Sequence, residues 1–508
     1  MEFQSILYAD TTPQLQQTAP VFFKDLQLEY LLGIIKKEAK GYSLAPHFYT
    51  LPETREVILY RQQICRDLEN RSLAGYINDF CIEMQKSRHS YDLSLQCEEE
   101  IQSASYYLEA AALYWQAVLD LEQNISSSEI HSEGFLSFCR FLKDEIHKKK
   151  EAGFEKSLIR AKDFFAQMQF RLILDQDRIS IVEESEETEN YLVELADVVS
   201  PDSSQEVPAI TEIFPNLLEP SCLETALVHL LKRSRPAIFQ TIRDFYHDFP
   251  DFYSRQLLQF EEEIPVYLSF LKFRENTEKL GYPLNRPEVL HKKEFHGTGL
   301  YDLALVWKNA NRDYHVVAND FTYPSHSAFF VVSGPNQGGK TTFARSVGQA
   351  VYFSLMGLYV NAKSLYLPFF QGMATHFEVE ERLQSNSGKL KEEINRLVPM
   401  MKQENTQQFV ILNELFTTAT THDALIMGRE AMNHFLKKDC YGIYVTHIQE
   451  LAEETDQIIS LVAQIAEKEG SRRTYRMLPM KAQGYGYSDS LVEEFALRYE
   501  DIVRRLSL

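Results

Sequence analysis

Apolar positions recur at helical spacing through the first hundred residues. Leu26, Leu28, Tyr30, Leu31, Ile34 and Ile35 lie ahead of Lys36-Lys37, and Val57, Ile58, Tyr60, Ile64 and Leu68 repeat the pattern around Arg61-Gln-Gln. Such faces pack on other helices, so residues 1–100 read as a helical core region. Longer helices are expected over 92–123 and 134–170. The period then changes: Arg171-Leu-Ile-Leu and Arg178-Ile-Ser-Ile-Val, parted by Asp175-Gln-Asp177, predict a small hairpin. Residues 181–220 carry eleven Asp or Glu and no Lys or Arg, a composition that repels a phosphate backbone. Helical spacing resumes near 222 with Leu223, Ala226, Leu227, Leu230 and Leu231 and runs through Phe239 to Leu280, its aromatic stripe reading as core. A loop rich in Gly, Pro and His, Gly281 to Gly299, closes this second region, taken as 101–298 with the hairpin and acidic segment near 168–220.

From about 299 the pattern becomes that of an α/β domain. The apolar run Ser327-Ala-Phe-Phe-Val-Val reads as a buried strand, Ala344-Arg-Ser-Val-Gly-Gln-Ala-Val-Tyr-Phe reads as a helix, and Gly334-Pro-Asn-Gln-Gly-Gly-Lys-Thr-Thr342 joins them. Gly334, Gly339, Lys340 and Thr341 satisfy G-x-x-x-x-G-K-[ST]. In that motif backbone N–H groups surround phosphates, the lysine reaches the outer ones and the hydroxyl binds Mg²⁺. Asn336, Gly338 and Thr342 belong to the same cradle. A glycine-rich turn with a surface lysine is the plainer reading, but all four fixed positions between a strand and a helix argue against it.

Three further stretches carry chemistry. Gln408-Phe-Val-Ile-Leu ends in Asn413-Glu414, where a nucleotide hydrolase needs a metal-supporting group followed by a carboxylate that orients water. Tyr441-Gly-Ile-Tyr-Val ends in Thr446-His447; the imidazole is either structural or a sensor of the γ-phosphate. Ser385-Asn-Ser-Gly-Lys-Leu-Lys-Glu-Glu opens a helix and on its own reads as a serine N-cap with a downstream glutamate.

Charge narrows the partners. The chain has 508 residues, 44% apolar and 25% charged, and 52 basic against 73 acidic residues give a formal charge of −21. A length of this kind suits about three domains, and a strongly acidic chain contacts nucleic acid only through a local basic face. His147-Lys-Lys-Lys150, Lys156, Arg160 and Lys162 are the candidate for one, or else a solvated face. The six cysteines include no C-x-x-C pair, there is no basic signal-like start, and no uncharged run of 18 apolar residues occurs. The expectation is a cytoplasmic protein with reduced cysteines and no membrane span.

Taken together, the four stretches resemble the MutS family of DNA mismatch-repair ATPases, relatives of the ABC ATPases. The phosphate loop is similar to that family's G-P-N-M-G-G-K-S-T, with Gln337 and Thr341 substituted. Val317-Ala-Asn-Asp320 is similar to its V-P-N-D element, which implies Asn319 as an adenine-side contact. Thr446-His447 matches the T-H ending the sensor strand. Ser387, with Glu392 five residues on, sits where the family has S-T-F-M-x-E, and the resemblance implies that this serine reaches a partner's γ-phosphate in a homodimer. The implied fold is an α/β P-loop ATPase domain of ABC/MutS type over 299–508, preceded by a mostly α-helical core and lever region. ATP and Mg²⁺ are the implied ligands: Thr341 and Asn413 on the metal, Glu414, His447 and Lys340 in hydrolysis, and DNA as the macromolecular partner.

The departures shape the expected activity. The family's strand ends in Asp-Glu followed by G-R-G-T-S-T, whereas here Asn413-Glu414 precedes Phe416-Thr-Thr-Ala-Thr-Thr421, with Asp423 preserved beyond. An amide in place of the metal-supporting carboxylate predicts slow hydrolysis. Tyr485-Gly-Tyr-Ser-Asp is only loosely similar to the family's S-Y-G element. Helical patterning begins within the first thirty residues with no F-x-E wedge, so the family's N-terminal mismatch-recognition domain is expected to be lacking. Two readings follow: a dimeric DNA-acting ATPase, or a nucleotide-switched protein-interaction module that does not bind DNA.

Overall fold

A computed structural model describes residues 3–9, 13–39, 41–97, 100–166, 170–175, 178–183, 236–312, 314–326, 328–377, 388–402, 406–465, 473–482, 496 and 498–506. The acidic segment beyond 183, the helix expected from 222, Ser387 and Tyr485-Gly-Tyr all lie outside these residues.

The helical patterning of the first half is realised with more breaks than the sequence suggests. The expected helix over 92–123 is divided between Arg71–Gln96 and Glu100–Ser126. Ser87 Oγ donates to the Ala110 carbonyl and Ser103 Oγ to that of Ser94, both at 2.7 Å, which fixes the two helices as an antiparallel pair. The helix expected over 134–170 is also two, Glu133–Glu151 and Phe154–Ala166. They part at Gly153, whose φ of +79° is left-handed, the conformation glycine adopts without steric penalty. The hairpin forms as expected, β1 (Phe170–Asp175) pairing antiparallel with β2 (Arg178–Glu183) from Phe170↔Glu183 to Asp175↔Arg178. The next described helices are Pro236–Asp248, Arg255–Glu263 and Pro265–Lys279.

The stretch from Gly281 to Gly299 is not all loop. It contributes β3 (Glu288–Leu290) and β4 (His296–Leu300) to a four-stranded sheet with β5 (Asn319–Thr322) and β7 (Ser364–Pro368), ordered β3-β7-β4-β5. The main sheet has six strands in the order β12-β11-β6-β10-β9-β8, formed by β6 (Phe329–Ser333), β8 (Met373–His376), β9 (Phe409–Asn413), β10 (Tyr441–Val445), β11 (Ile458–Ile465) and β12 (Arg473–Pro479). All neighbours are parallel except β12, which lies antiparallel on β11.

Every residue of β6, β9 and β10 is buried, because both faces are covered. Alternate residues enter different cores. Phe330, Val332, Ile411, Ile443 and Val445 join a continuous core that also takes in Phe3 and the N-terminal helices, whereas Phe329, Val331, Val410, Leu412 and Tyr444 pack with the helices Lys389–Lys402 and Thr421–Lys437. Polar groups fasten the N-terminal part to the first core. Arg61, within the apolar face of helix Arg55–Asp67, is buried; its Nε donates to the Leu7 carbonyl at 3.0 Å and its Nη1 to that of Met356 at 3.4 Å. Glu263, also buried, accepts from Ser5 Oγ at 2.7 Å and Ile6 N–H at 2.9 Å, and burial raises its pKa against these bonds.

Among the described residues no helix is long and apolar enough to cross a membrane. Among the described cysteines, Cys65, Cys81 and Cys440 are buried free thiols.

The basic run of the first half does not present a uniform face. Lys149 turns inward, donating to the Phe252 carbonyl with its Nζ 5.2 Å from the Phe154 ring centre and 5.9 Å from that of Tyr114. Burial pushes its ammonium below its ordinary pKa. His147 lies 3.2 Å from Glu151 and Lys150 3.6 Å from Glu155; His147 and Lys150, with Lys148, Lys156, Arg160 and Lys162, are exposed. Lys149→Ala is therefore expected to destabilise the protein by about 1.5–3 kcal/mol, the range for hydrogen bonds to charged groups, while Lys148→Ala stays within about 0.5 kcal/mol. Urea unfolding of the two variants checks this; coincident midpoints would show Lys149 to be a solvated lysine.

Candidate functional site

The chain leaves β6 at Ser333 and enters the sixteen-residue helix Lys340–Leu355 through the loop 334–339. Two turns of that loop require glycine. Gly334 has φ +121°, and a Cβ there would meet the backbone nitrogen and Cβ of Ala463 on β11 at 3.0 Å; Gly339, the residue before the helix, has φ +91°. Lys340 is 4% exposed, and its Nζ donates to the carbonyls of Gly334 at 2.9 Å and Pro335 at 3.0 Å. Burial pushes the ammonium below its ordinary pKa, with attraction from Glu414 opposing. The helix N-terminus adds unpaired N–H groups and the positive end of its dipole, so loop and helix together favour a polyanion.

These residues line a cleft of about 550 Å³ at the carboxyl ends of the parallel strands, the usual place for a ligand in an open α/β sheet. Asn336, Gln337, Gly338, Thr341 and Thr342 form its floor with Gly339 and Lys340, and Glu414 and His447 face them. Thr341 Oγ1 donates to Asn413 Oδ1 at 3.0 Å, joining the loop to the end of β9. Glu414 Oε1 and His447 Nε2 lie 3.1 Å apart. An ionised carboxylate only accepts, so Nε2 carries the proton and donates. That bond holds the Glu414 carboxyl below its ordinary pKa, helped by Lys340 and opposed by burial. Imidazole and carboxylate, read separately from the sequence, thus form one unit.

Other expected residues are placed differently. Asn319 borders the cleft, but its carboxamide is engaged with β12: Nδ2 donates to the Tyr475 carbonyl at 3.1 Å and Oδ1 accepts from Met477 N–H at 2.8 Å. Asp423 stays at the start of helix Thr421–Lys437, where Thr420 Oγ1 donates to it at 2.7 Å, and it does not line the cleft. Among the described residues no cluster of three or more His, Cys, Asp or Glu is placed to hold a metal. Ser387 lies outside the described residues, as stated above.

Two aromatic residues that no motif indicated complete the wall. Tyr314 and Tyr475 line the cleft, and a Cβ on Gly339 would sit 3.4 Å from Tyr475 Cδ1. Backbone strain marks the same place. Gln337, Glu414 and Tyr475, all in the cleft wall, have left-handed φ of 58°, 53° and 58°, and Phe416 beside them has 62°. Non-glycine residues hold this conformation only where the surroundings impose it, and they concentrate at functional sites.

Known proteins resemble this part of the chain. Residues 330–486 match the family model described as MutS domain V, a span containing the loop 334–339, Asn413-Glu414 and Thr446-His447. The chain is 27% identical over 137 residues to the DNA mismatch repair protein MutS of Thermotoga maritima, covering 27% of this chain and 17% of that protein. It is 24% identical over 191 residues to the Endonuclease MutS2 of Thermus thermophilus, covering 37% and 25% respectively. With the DNA mismatch repair protein msh3 of Botryotinia fuckeliana it shares 27% identity over 132 residues, 26% of this chain and 12% of that one. The chain thus spans well under two thirds of the length of the curated relatives it matches; the family-model match covers residues 330–486, most of the sheet that carries the cleft.

Asn319→Ala is expected to remove both hydrogen bonds between β5 and β12, lowering stability by about 1–3 kcal/mol. Hydrogen exchange at the Met477 amide reports the change directly; unaltered protection would show that the carboxamide does not hold β12.

Proposed function

We propose that this chain is a MutS-type ATPase that binds ATP with Mg²⁺ in the cleft beyond β6, hydrolyses it slowly, forms a homodimer with Ser387 reaching the partner's nucleotide, and acts on DNA. The observation that carries this reading is the meeting of two pairs at one phosphate loop, Thr341 with Asn413 and Glu414 with His447. The names of the similar proteins, DNA mismatch repair proteins and an endonuclease, support the DNA half of it.

The residues divide the work by their chemistry. The loop N–H groups and Lys340 bind phosphate oxygens; two of the lysine's three protons go to loop carbonyls, leaving one for a phosphate. The hydroxyl of Thr341 and the carboxamide oxygen of Asn413 form an oxygen donor pair suited to Mg²⁺, which keeps much of its water and takes few protein ligands. When bound, Mg²⁺ neutralises charge on the phosphate oxygens. Asn413 offers it a dipole where a carboxylate would offer a full charge, so metal retention is weaker. Glu414, ionised and oriented by His447, accepts a proton from the attacking water or aligns it. Tyr314 and Tyr475 offer flat apolar faces beside the loop for a nucleobase.

A second reading, a nucleotide-switched protein-interaction module, is favoured by the net charge of −21 and by the inward turn of Lys149 within the basic run. Salt titration separates the two. DNA action requires binding to duplex, mismatched or branched DNA that falls steeply with salt, whereas no binding at low salt to any of the three sinks it.

Lys340→Ala should abolish nucleotide binding with helical content unchanged. Glu414→Gln should leave binding intact and nearly abolish turnover, and Asn413→Asp should lower the Mg²⁺ requirement and raise turnover, on the order of 10²-fold at most. Single-turnover hydrolysis over a Mg²⁺ series checks these; an Asn413→Asp protein no faster than wild type overturns the role of the amide.

The depressed Glu414 carboxyl sets the acid limb of the activity. Its charge is fully present above the ordinary carboxylate range and is lost only as pH falls through the lowered value. His447→Ala removes the leading cause and should move the acid limb of the pH-rate profile upward. An unmoved limb would mean that Glu414 does not govern it.

A further inference from the structure

Glu414 sits in a turn whose backbone needs holding. Both Glu414 and Phe416 have left-handed φ, 53° and 62°, which a Cβ disfavours. Two backbone bonds restrain the turn. Glu414 N–H donates to the Val445 carbonyl of β10 at 2.8 Å, and Phe416 N–H donates to Glu393 Oε2 at 3.0 Å. The second acceptor is the carboxyl group of a residue only 1% exposed, reaching in from helix Lys389–Lys402. A hydrogen bond in low dielectric is electrostatically stronger than in water, so this one grips the peptide two residues after Glu414.

Glu393 is anchored in turn. Its own carbonyl lies 3.3 Å from His376 Nε2 at the end of β8, and His376 is buried, with its pKa lowered by that burial to about 4. The ring is therefore neutral at pH 7 and donates to the carbonyl. Leu415 and Phe416 are buried against the same helix pair, so the turn cannot relax outward without opening the second core. Glu393, rather than the half-buried neighbour Glu392 that the sequence spacing singled out, is the glutamate this helix buries against the Glu414 turn.

We propose that Glu393 is a positioning residue for Glu414: its carboxyl oxygen fixes the left-handed turn 414–416 and ties it to the helix that begins at Lys389, so that a shift of this helix against the sheet resets Glu414. The inference rests on Glu414 acting in hydrolysis as proposed above. It makes the end of β8, helix Lys389–Lys402 and the Glu414 turn one mechanical unit, fastened by two side chains from outside the phosphate loop.

The test compares full-length wild type, Glu393→Ala and Glu393→Gln in three measurements: kcat and KM for ATP, affinity for a non-hydrolysable ATP analogue, and hydrogen exchange at the Phe416 amide. A glutamine keeps an acceptor oxygen in nearly the same volume and so separates positioning from loss of packing. Glu393→Ala is expected to lower kcat on the order of 10²-fold, with KM and analogue affinity within about threefold and Phe416 exchange accelerated at least about tenfold. Glu393→Gln should recover most of the exchange protection and about tenfold of kcat. A Glu393→Ala protein with wild-type kcat, or one whose KM and analogue affinity worsen in parallel with kcat, overturns the proposal. If wild type does not hydrolyse ATP, the functional reading fails; the Phe416 exchange still decides whether Glu393 holds the turn, and unchanged exchange in Glu393→Ala overturns that as well.

Discussion

The helix Lys340–Leu355 has no free side. At Gly348 an added Cβ would lie 2.6 Å from Leu26 Cδ2 and 2.7 Å from Ile411 Cδ1, so the helix is wedged between β9 and the N-terminal helices with no room for a methyl group. Its far end is gripped as tightly. Gln349 Nε2 donates to the Leu26 carbonyl at 3.0 Å, Tyr352 Oη to that of Phe48 at 2.7 Å, and Arg61 to that of Met356, the residue after the helix. The element whose first turn lines the cleft is thus also an element on which the N-terminal helices pack. Close-packed interiors transmit displacement rather than absorbing it, and this helix connects the cleft to Leu26, Phe48 and Arg61.

Polar groups, more than apolar area, determine how that path is aligned. Asp302 is buried between Arg345 Nε at 2.6 Å and Gln349 Nε2 at 3.0 Å, and it caps its own helix by accepting from Leu305 N–H at 3.2 Å. Gln349 returns an oxygen to Leu303 N–H at 2.8 Å. A buried charge of this kind adds little net stability compared with a well-packed apolar substitute, yet removing one partner is severe because the other is left unpaired in low dielectric. The arrangement therefore specifies one orientation of the helix Lys340–Leu355 against the segment that leads to β5.

At the cleft the balance of charge is unusual for a site read as a hydrolase. Lys340, the helix N-terminus and the loop N–H groups all favour an anion, and Glu414 is the carboxylate that faces them. Asn413 beside it contributes geometry without charge. The amide keeps Thr341 in place by a 3.0 Å hydrogen bond, and under the proposed function it would hold a divalent cation less firmly than a carboxylate. Under the function proposed above, this one residue would separate binding from turnover.

The sequence by itself determined whatever depends on neighbours along the chain. The strand–loop–helix around 334–341 was legible because the glycines stand at set distances between an apolar run and a helical one; β6, β9 and β10 because burial on both faces demands unbroken apolar runs; the β1–β2 hairpin because two apolar runs are parted by a short polar stretch. Tertiary structure alone decided the rest. Asn319 meets the backbone of β12 at a separation of 156 residues, Lys149 closes on Phe252 at 103, and Arg61 reaches Met356 at 295. Glu393 and its neighbour Glu392 are the same residue type with the same helix propensity; which of them enters the core is set by the rotation of the helix against β8 and β9. Periodicity shows that a face exists, but only packing shows what each polar group on it finds there, because a buried donor or acceptor takes the partner that the fold brings within about 3 Å.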